Sequence, residues 1–189
     1  MRGRTSRVPA CHWLAAIVLL TLTLGAAAAQ QSGATAARVV ADSELRITSF
    51  LADESLKLEV ESTLYTRIEV PDGYHIYGEP LPEGFFATTV HVQEVKGLRV
   101  GEAQYPPTVP LRFEELDVTL SIYEGVVEIA VPVTATADVL NWGAERETMM
   151  LEVPVIVRYQ ICSEEVCYLP RTVELPMELD LAELQLPNR

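Results

Sequence analysis

The stretch Met149-Met150-Leu151-Glu152-Val153-Pro154-Val155-Ile156-Val157-Arg158-Tyr159-Gln160-Ile161 decides the fold class. Leu151, Val153, Val155, Val157, Tyr159 and Ile161 occupy every second position, the period of a strand with one buried face. The same alternation recurs on either side of it. Downstream, Val173, Leu175, Met177 and Leu179 form a last strand. Upstream, Val118 to Tyr123 and Val126 to Val133 flank Glu124-Gly125, a connection that suits a two-residue β-hairpin. Thr88 to Val95 alternates with Val90, Val92 and Val95 facing in. Leu56, Leu58 and Val60 alternate with Lys57, Glu59 and Glu61, and Arg67 to Val70 continues until Pro71-Asp72-Gly73 imposes a turn. Seven or eight strands punctuated by proline and glycine, with almost no helical periodicity, predict an all-β antiparallel β-sandwich. Asp180 to Leu186 suits a short terminal helix stopped by Pro187. The 12 prolines fall mainly at turns and edges, where a missing N–H does no damage.

The N-terminus reads as an export signal. Arg2, Arg4 and Arg7 precede an apolar run from Trp13 to Leu24, and Gly25 to Ala29 supplies small residues for cleavage before Gln30. The run is short for a membrane span, so cleavage is favoured over an uncleaved anchor. Cys11 precedes the apolar core, the wrong place for a lipoprotein cysteine. The expected organisation is a signal peptide over 1–29, a small, polar leader over 30–37 and one domain over 38–189, periplasmic or otherwise exported and soluble after cleavage. The whole chain carries 14 basic and 27 acidic residues, a net charge of −13. The signal removes three of the basic residues and no acidic one. So acidic a surface repels nucleic acid and anionic lipid.

Cys162 and Cys167 are the cysteines that survive processing. Four residues, Ser163 to Val166, separate them. A loop of that length sets its flanking residues opposite each other, with Cβ atoms about 4.5–5.5 Å apart, which modest adjustment brings to disulfide distance. The spacing therefore predicts a bond. Closing so short a loop gains only about 2 kcal/mol of chain entropy, and strained, exposed cross-strand disulfides are labile. Composition and spacing alone leave a structural staple and a redox pair equally open. By alternation Cys162 lies on the face opposite Val157 and Ile161, which predicts a reachable sulfur. Glu164 and Glu165 disfavour a thiolate nearby, with Arg158 and Arg171 to offset them. That environment suits a relay that exchanges only when docked to a partner.

The Pro71-Asp72-Gly73-Tyr74-His75-Ile76-Tyr77 turn and the Tyr159-Gln160-Ile161-Cys162…Cys167-Tyr168-Leu169-Pro170 hairpin, with Ser121-Ile122-Tyr123 between them, carry a resemblance. They are similar to the N-terminal periplasmic domain of DsbD-type thiol:disulfide interchange proteins, over about residues 40–180. The resemblance implies an immunoglobulin-like fold whose disulfide accepts electrons from a membrane-embedded thiol reductase. The acceptors it implies are exported thioredoxin-fold proteins, such as a disulfide isomerase or a cytochrome c maturation factor. It assigns the mixed disulfide to Cys167, a cap loop to Arg112 to Asp117 with Phe113 or Leu116 as its apolar lid, and site-lining roles to Tyr74 and Tyr77. Two departures stand out. The better-known members have one more residue between their cysteines, and the expected organisation includes neither the membrane segments nor the thioredoxin-like domain of the full-length proteins. The expectation is then that donor and acceptor act in trans, or that the same fold serves another use.

No cofactor is expected. His75 and His91 with two cysteines match no common zinc spacing, and packing or solvent contact is the expected role of both. Met149-Met150 reads as core filling, and Trp142 as structural. Tyr74, Tyr77, Tyr105 and Tyr123 are equally compatible with plain packing and with a site. Phosphate-loop, nucleophile-elbow and HExxH patterns are absent. The rival to a redox relay is a non-catalytic immunoglobulin-like binding module whose disulfide pins a loop.

Overall fold

The computed structural model describes residues 40–41, 45–114, 117–142 and 150–182. Twelve strands run along these residues: β1 (Val40–Ala41), β2 (Arg46–Leu51), β3 (Glu61–Glu69), β4 (Tyr74–Tyr77), β5 (Thr89–Val92), β6 (Leu98–Val100), β7 (Val109–Phe113), β8 (Val118–Tyr123), β9 (Val126–Ala135), β10 (Met150–Tyr159), β11 (Ile161–Ser163) and β12 (Arg171–Asp180). They make three antiparallel sheets, in the orders β1-β2-β3-β9-β6, β12-β10-β5 and β11-β4-β8-β7.

β10 organises the core, as its alternation demands. Leu151, Val153, Val155, Val157 and Tyr159 are all buried, and they meet Leu175, Met177 and Leu179 of β12 and Val90 and Val92 of β5. Ile47, Leu64 and Ile68 from β2 and β3, with Ile129, Val131 and Val133 from β9, complete the same apolar cluster. Antiparallel sheets packed around this one main core give an immunoglobulin-like β-sandwich.

The run through Ile161 is interrupted at Gln160. Its side-chain amide donates to the Tyr168 carbonyl at 3.0 Å, and beyond it the chain enters a different sheet as β11. That four-stranded sheet has two apolar faces. Ile76, Tyr123 and Ile161 point into the main core, whereas Tyr77, Leu120, Ile122 and Cys162 form a second, smaller cluster. A strand's period of two is enough to sort them.

Two sequence expectations give way here. The hairpin across Glu124-Gly125 does not form: Tyr123 pairs with Ile76 and Val126 with Glu69, in separate sheets. Gly125, at φ 63°, turns the chain from one layer to the other, and its carbonyl accepts the Val70 N–H at 2.7 Å. Each strand thereby buries its apolar face in a different cluster. The strand expected through Leu56 to Val60 is likewise replaced by isolated bridges at Leu56 and Leu58. Glu59 adopts φ 55° and its carboxylate accepts the Ala137 N–H, so Val60 turns outward and is 52% exposed. Of the expected terminal helix, Asp180 instead ends β12, and residues 183–189 lie outside the described residues, as do Met149 and the signal and leader over 1–37.

Candidate functional site

The site is assembled where β11 lies beside β4. The turn at Pro71-Asp72-Gly73, with Gly73 at φ 81° and the Tyr74 N–H donating to the Pro71 carbonyl, delivers the chain into β4. Register then pairs Ile161 with Ile76, Cys162 with His75 and Ser163 with Tyr74. Alternation sends Ile76 and Ile161 into the main core and leaves His75, Tyr77 and Cys162 on the other face.

Beyond β11 the chain turns at Glu164-Glu165. The Ser163 N–H donates to the Val166 carbonyl at 2.8 Å, and the Tyr168 N–H to the Ile161 carbonyl at 3.0 Å. The Ser163 hydroxyl accepts the N–H groups of Glu165 and Val166 and so fixes the tip. These backbone bonds flank Cys162 and Cys167 rather than joining them. The two cysteines are therefore a non-hydrogen-bonded cross-strand pair, the position where side chains approach most closely. Their Cα atoms are 4.1 Å apart and a disulfide joins them.

The two sulfurs have different surroundings. Cys162 is fully buried, at 0% exposure, whereas Cys167 is exposed. The expectation that Cys162 is reachable is thus corrected. It does lie on the face away from the main core, but Tyr77, Leu120 and Ile122 enclose it there, with Phe85, Leu111 and Phe113 packed against them. The Tyr77 hydroxyl lies 3.1 Å from Cys162 Sγ and 3.3 Å from Cys167 Sγ. A disulfide sulfur carries no hydrogen, so the hydroxyl donates. Burial raises the Tyr77 pKa above its ordinary 10.0, which keeps that proton in place at neutral pH. The edge of Phe85 meets the Tyr77 ring at 5.2 Å.

Tyr74 is not in this group. It packs against the main core, because a spacing of three along a strand puts Tyr74 and Tyr77 on opposite faces. Phe113 ends β7 beside the small cluster. Arg112, on the same strand, pairs with Asp117 and, at 3.3 Å, with Glu114. Leu116 lies outside the described residues. Tyr123 belongs to the main core, and the Tyr105 hydroxyl accepts the Val90 N–H at 3.0 Å.

His75 is the residue that sequence reasoning undervalued. It is buried, its Nε2 has no hydrogen-bond partner, and its ring meets that of Tyr77 edge-on at 5.4 Å. The available signal was the spacing of two between His75 and Tyr77 in the turn motif. His91, by contrast, is exposed on β5 in another sheet. Burial lowers the His75 pKa from 6.5, against an opposing pull from Glu124. As pH falls below 6.5 the unfolded chain therefore takes up a proton before the folded one does. Stability should be full above that value and decline as pH is lowered toward the depressed folded value. His75→Gln should flatten this part of the profile. Urea titrations of both proteins between pH 7 and pH 5 measure it, and equal slopes would show that the imidazole is not sheltered.

The chain matches the family described as "Thiol:disulfide interchange protein DsbD, N-terminal" over residues 48–178, a span that contains both cysteines and both strands of the site. It belongs to the DsbD N-terminal domain family. Among solved structures, the N-terminal periplasmic domain of ScsB from Proteus mirabilis is similar in fold. Its TM-score is 0.50 at 10% identity, over 79% of this chain and 52% of that one. The Neisseria meningitidis DsbD N-terminal domain in the reduced form matches at TM-score 0.41 and 19% identity, over 62% of this chain and 77% of that one. The complex between the DsbD N-terminal and PilB N-terminal domains of the same organism matches at TM-score 0.40 and 18% identity, over 60% and 73%. A comparison with curated proteins gives no match. Among the described residues no helix is long and apolar enough to cross a membrane.

Proposed function

We propose that this domain is an exported thiol–disulfide relay in which Cys167 forms the mixed disulfide with partners and Cys162 resolves it. The observation that carries this reading is the contrast between the two sulfurs, one open to solvent and the other enclosed. A partner thiolate attacks Cys167 Sγ, a bond forms between those sulfurs, and the electron pair of the Cys162–Cys167 bond leaves on Cys162. The Tyr77 hydroxyl, already within hydrogen-bond distance of both sulfurs, steadies the charge that develops there. A second thiol of the partner then releases Cys167.

The electron donor is a membrane-embedded thiol reductase and the acceptors are exported thioredoxin-fold proteins, cytochrome c maturation factors among them. Family membership and the signal-like sequence of residues 1–29, basic residues followed by an apolar run and small residues, support this assignment. Val166 and Leu169, 51% and 84% exposed, flank Cys167 and form an apolar rim for such a partner. Phe113, at the end of β7 beside the small cluster, serves as the lid, with Leu116 assigned to the loop that follows.

Trapping tests the assignment of roles. Cys162→Ser should accumulate a stable disulfide-linked adduct with a thioredoxin-fold protein that lacks its own resolving cysteine, and Cys167→Ser should not. Adduct formation is read on non-reducing gels. Equal trapping by both variants would remove the distinction between the two cysteines.

A further inference from the structure

The relay needs a proton acceptor at the buried sulfur, and the cross-strand register sets a histidine opposite it. Once Cys167 has attacked a partner disulfide, Cys162 must lose its thiol proton before it can displace the partner. An enclosed apolar pocket is a poor place for a thiolate to form unaided. The Tyr77 hydroxyl can donate to that sulfur but, held in its neutral form, does not take the proton. His75 is the register partner of Cys162, on the same face. Cβ atoms of such a pair lie about 4.5–5.5 Å apart, within reach of an imidazole. Its Nε2 is buried and has no hydrogen-bond partner, and a neutral imidazole keeps one ring nitrogen free to take a proton. An unsatisfied group of that kind is costly and calls for a reason.

We propose that His75 is the base that removes the Cys162 thiol proton when the mixed disulfide is resolved, an inference that rests on the relay reading above. The step balances. The Cys162 proton passes to the imidazole, a bond forms between Cys162 Sγ and Cys167 Sγ, the bond from Cys167 to the partner breaks, and the partner sulfur leaves with the electron pair. Neutral thiol and neutral imidazole become a disulfide, an imidazolium and a free partner thiolate. In the reverse reaction the imidazolium returns the proton to Cys162 as the disulfide opens. The neutral form that the forward step needs is the one that burial favours. The ionisable groups that face His75 are Tyr77 on its own strand, Cys162 on β11 and Glu124, just after β8. Of these, Glu124 is the one whose charge raises the imidazole's proton affinity.

A reduced sample mixed with 5,5′-dithiobis(2-nitrobenzoate) tests this in a single turnover. The first equivalent of coloured thiolate reports attack by Cys167, and the second reports its displacement by Cys162. His75→Gln and His75→Asn, both neutral and polar, should slow the second phase at pH 7 by tenfold or more and leave the first unchanged. The unchanged first phase also shows that the hairpin is intact. In the unmodified protein the second-phase rate should level off above the imidazole's pKa, below pH 6.5. In the variants it should keep rising with pH. A second phase within twofold of the unmodified rate, or a profile with no break below pH 6.5, overturns the role of His75. A first phase that survives Cys167→Ser counts instead against the relay itself, so the two failures are distinct.

Discussion

Cys167→Ala should abolish thiol–disulfide exchange, with turnover at least a thousandfold below that of the unmodified protein, and should cost the fold no more than about 2 kcal/mol. Loss of activity follows because the attacked sulfur, the exposed one, is gone, and Cys162 is walled in by Tyr77, Leu120 and Ile122. The small loss of stability follows from the shortness of the closed loop, since the bond joins residues only five apart. Removing it restores little entropy to the unfolded chain. The remaining thiol keeps its place in the small cluster, where a free cysteine packs as a small apolar group. Cys162→Ala loses the same bond and in addition empties part of that cluster, so it should be the less stable of the two variants. Exchange measured against a reduced dithiol, with urea unfolding alongside, checks both halves. Exchange that persists in Cys167→Ala, or collapse of the fold, would falsify the relay and favour a disulfide that merely pins the hairpin.

Much of this was legible in the residues because strands advertise themselves through alternation. Leu151 to Tyr159 and Val173 to Leu179 mark buried faces that the sandwich uses as written. The spacing of Cys162 and Cys167 was equally readable, since a short antiparallel return leaves them opposite each other. What could not be read is which strand each one pairs with. Glu124-Gly125 has the residues of a tight hairpin, and only the existence of two separate apolar clusters explains why the chain crosses between layers there. The same long-range choice encloses Cys162, because its walls come from β4 and β8, far away in sequence. Tyr74 is a different case: its spacing of three from Tyr77 sets it on the other face of β4, against the main core.

Tyr77→Phe should slow the opening of the disulfide by an external thiol about ten- to a hundredfold, while stability stays nearly the same. The two outcomes come from the same oxygen at different moments. Against the intact disulfide the hydroxyl meets neutral sulfur, a weak acceptor, so its removal costs the ground state little. As the bond breaks, negative charge grows on Cys162 in a pocket from which water is excluded. A hydrogen bond to a charged group there contributes roughly 1.5–3 kcal/mol, and that is the origin of the expected rate factor. The phenylalanine ring retains the edge contacts with Phe85 and His75, so packing is conserved. A rate that falls while stability holds identifies an interaction made chiefly in the transition state. Stopped-flow reduction by a small dithiol, with the midpoint of urea unfolding as the control, separates the cases. If the rate stays within twofold, the hydroxyl does not reach the departing sulfur. If the midpoint falls in proportion to the rate, Tyr77 supports the hairpin rather than the reaction.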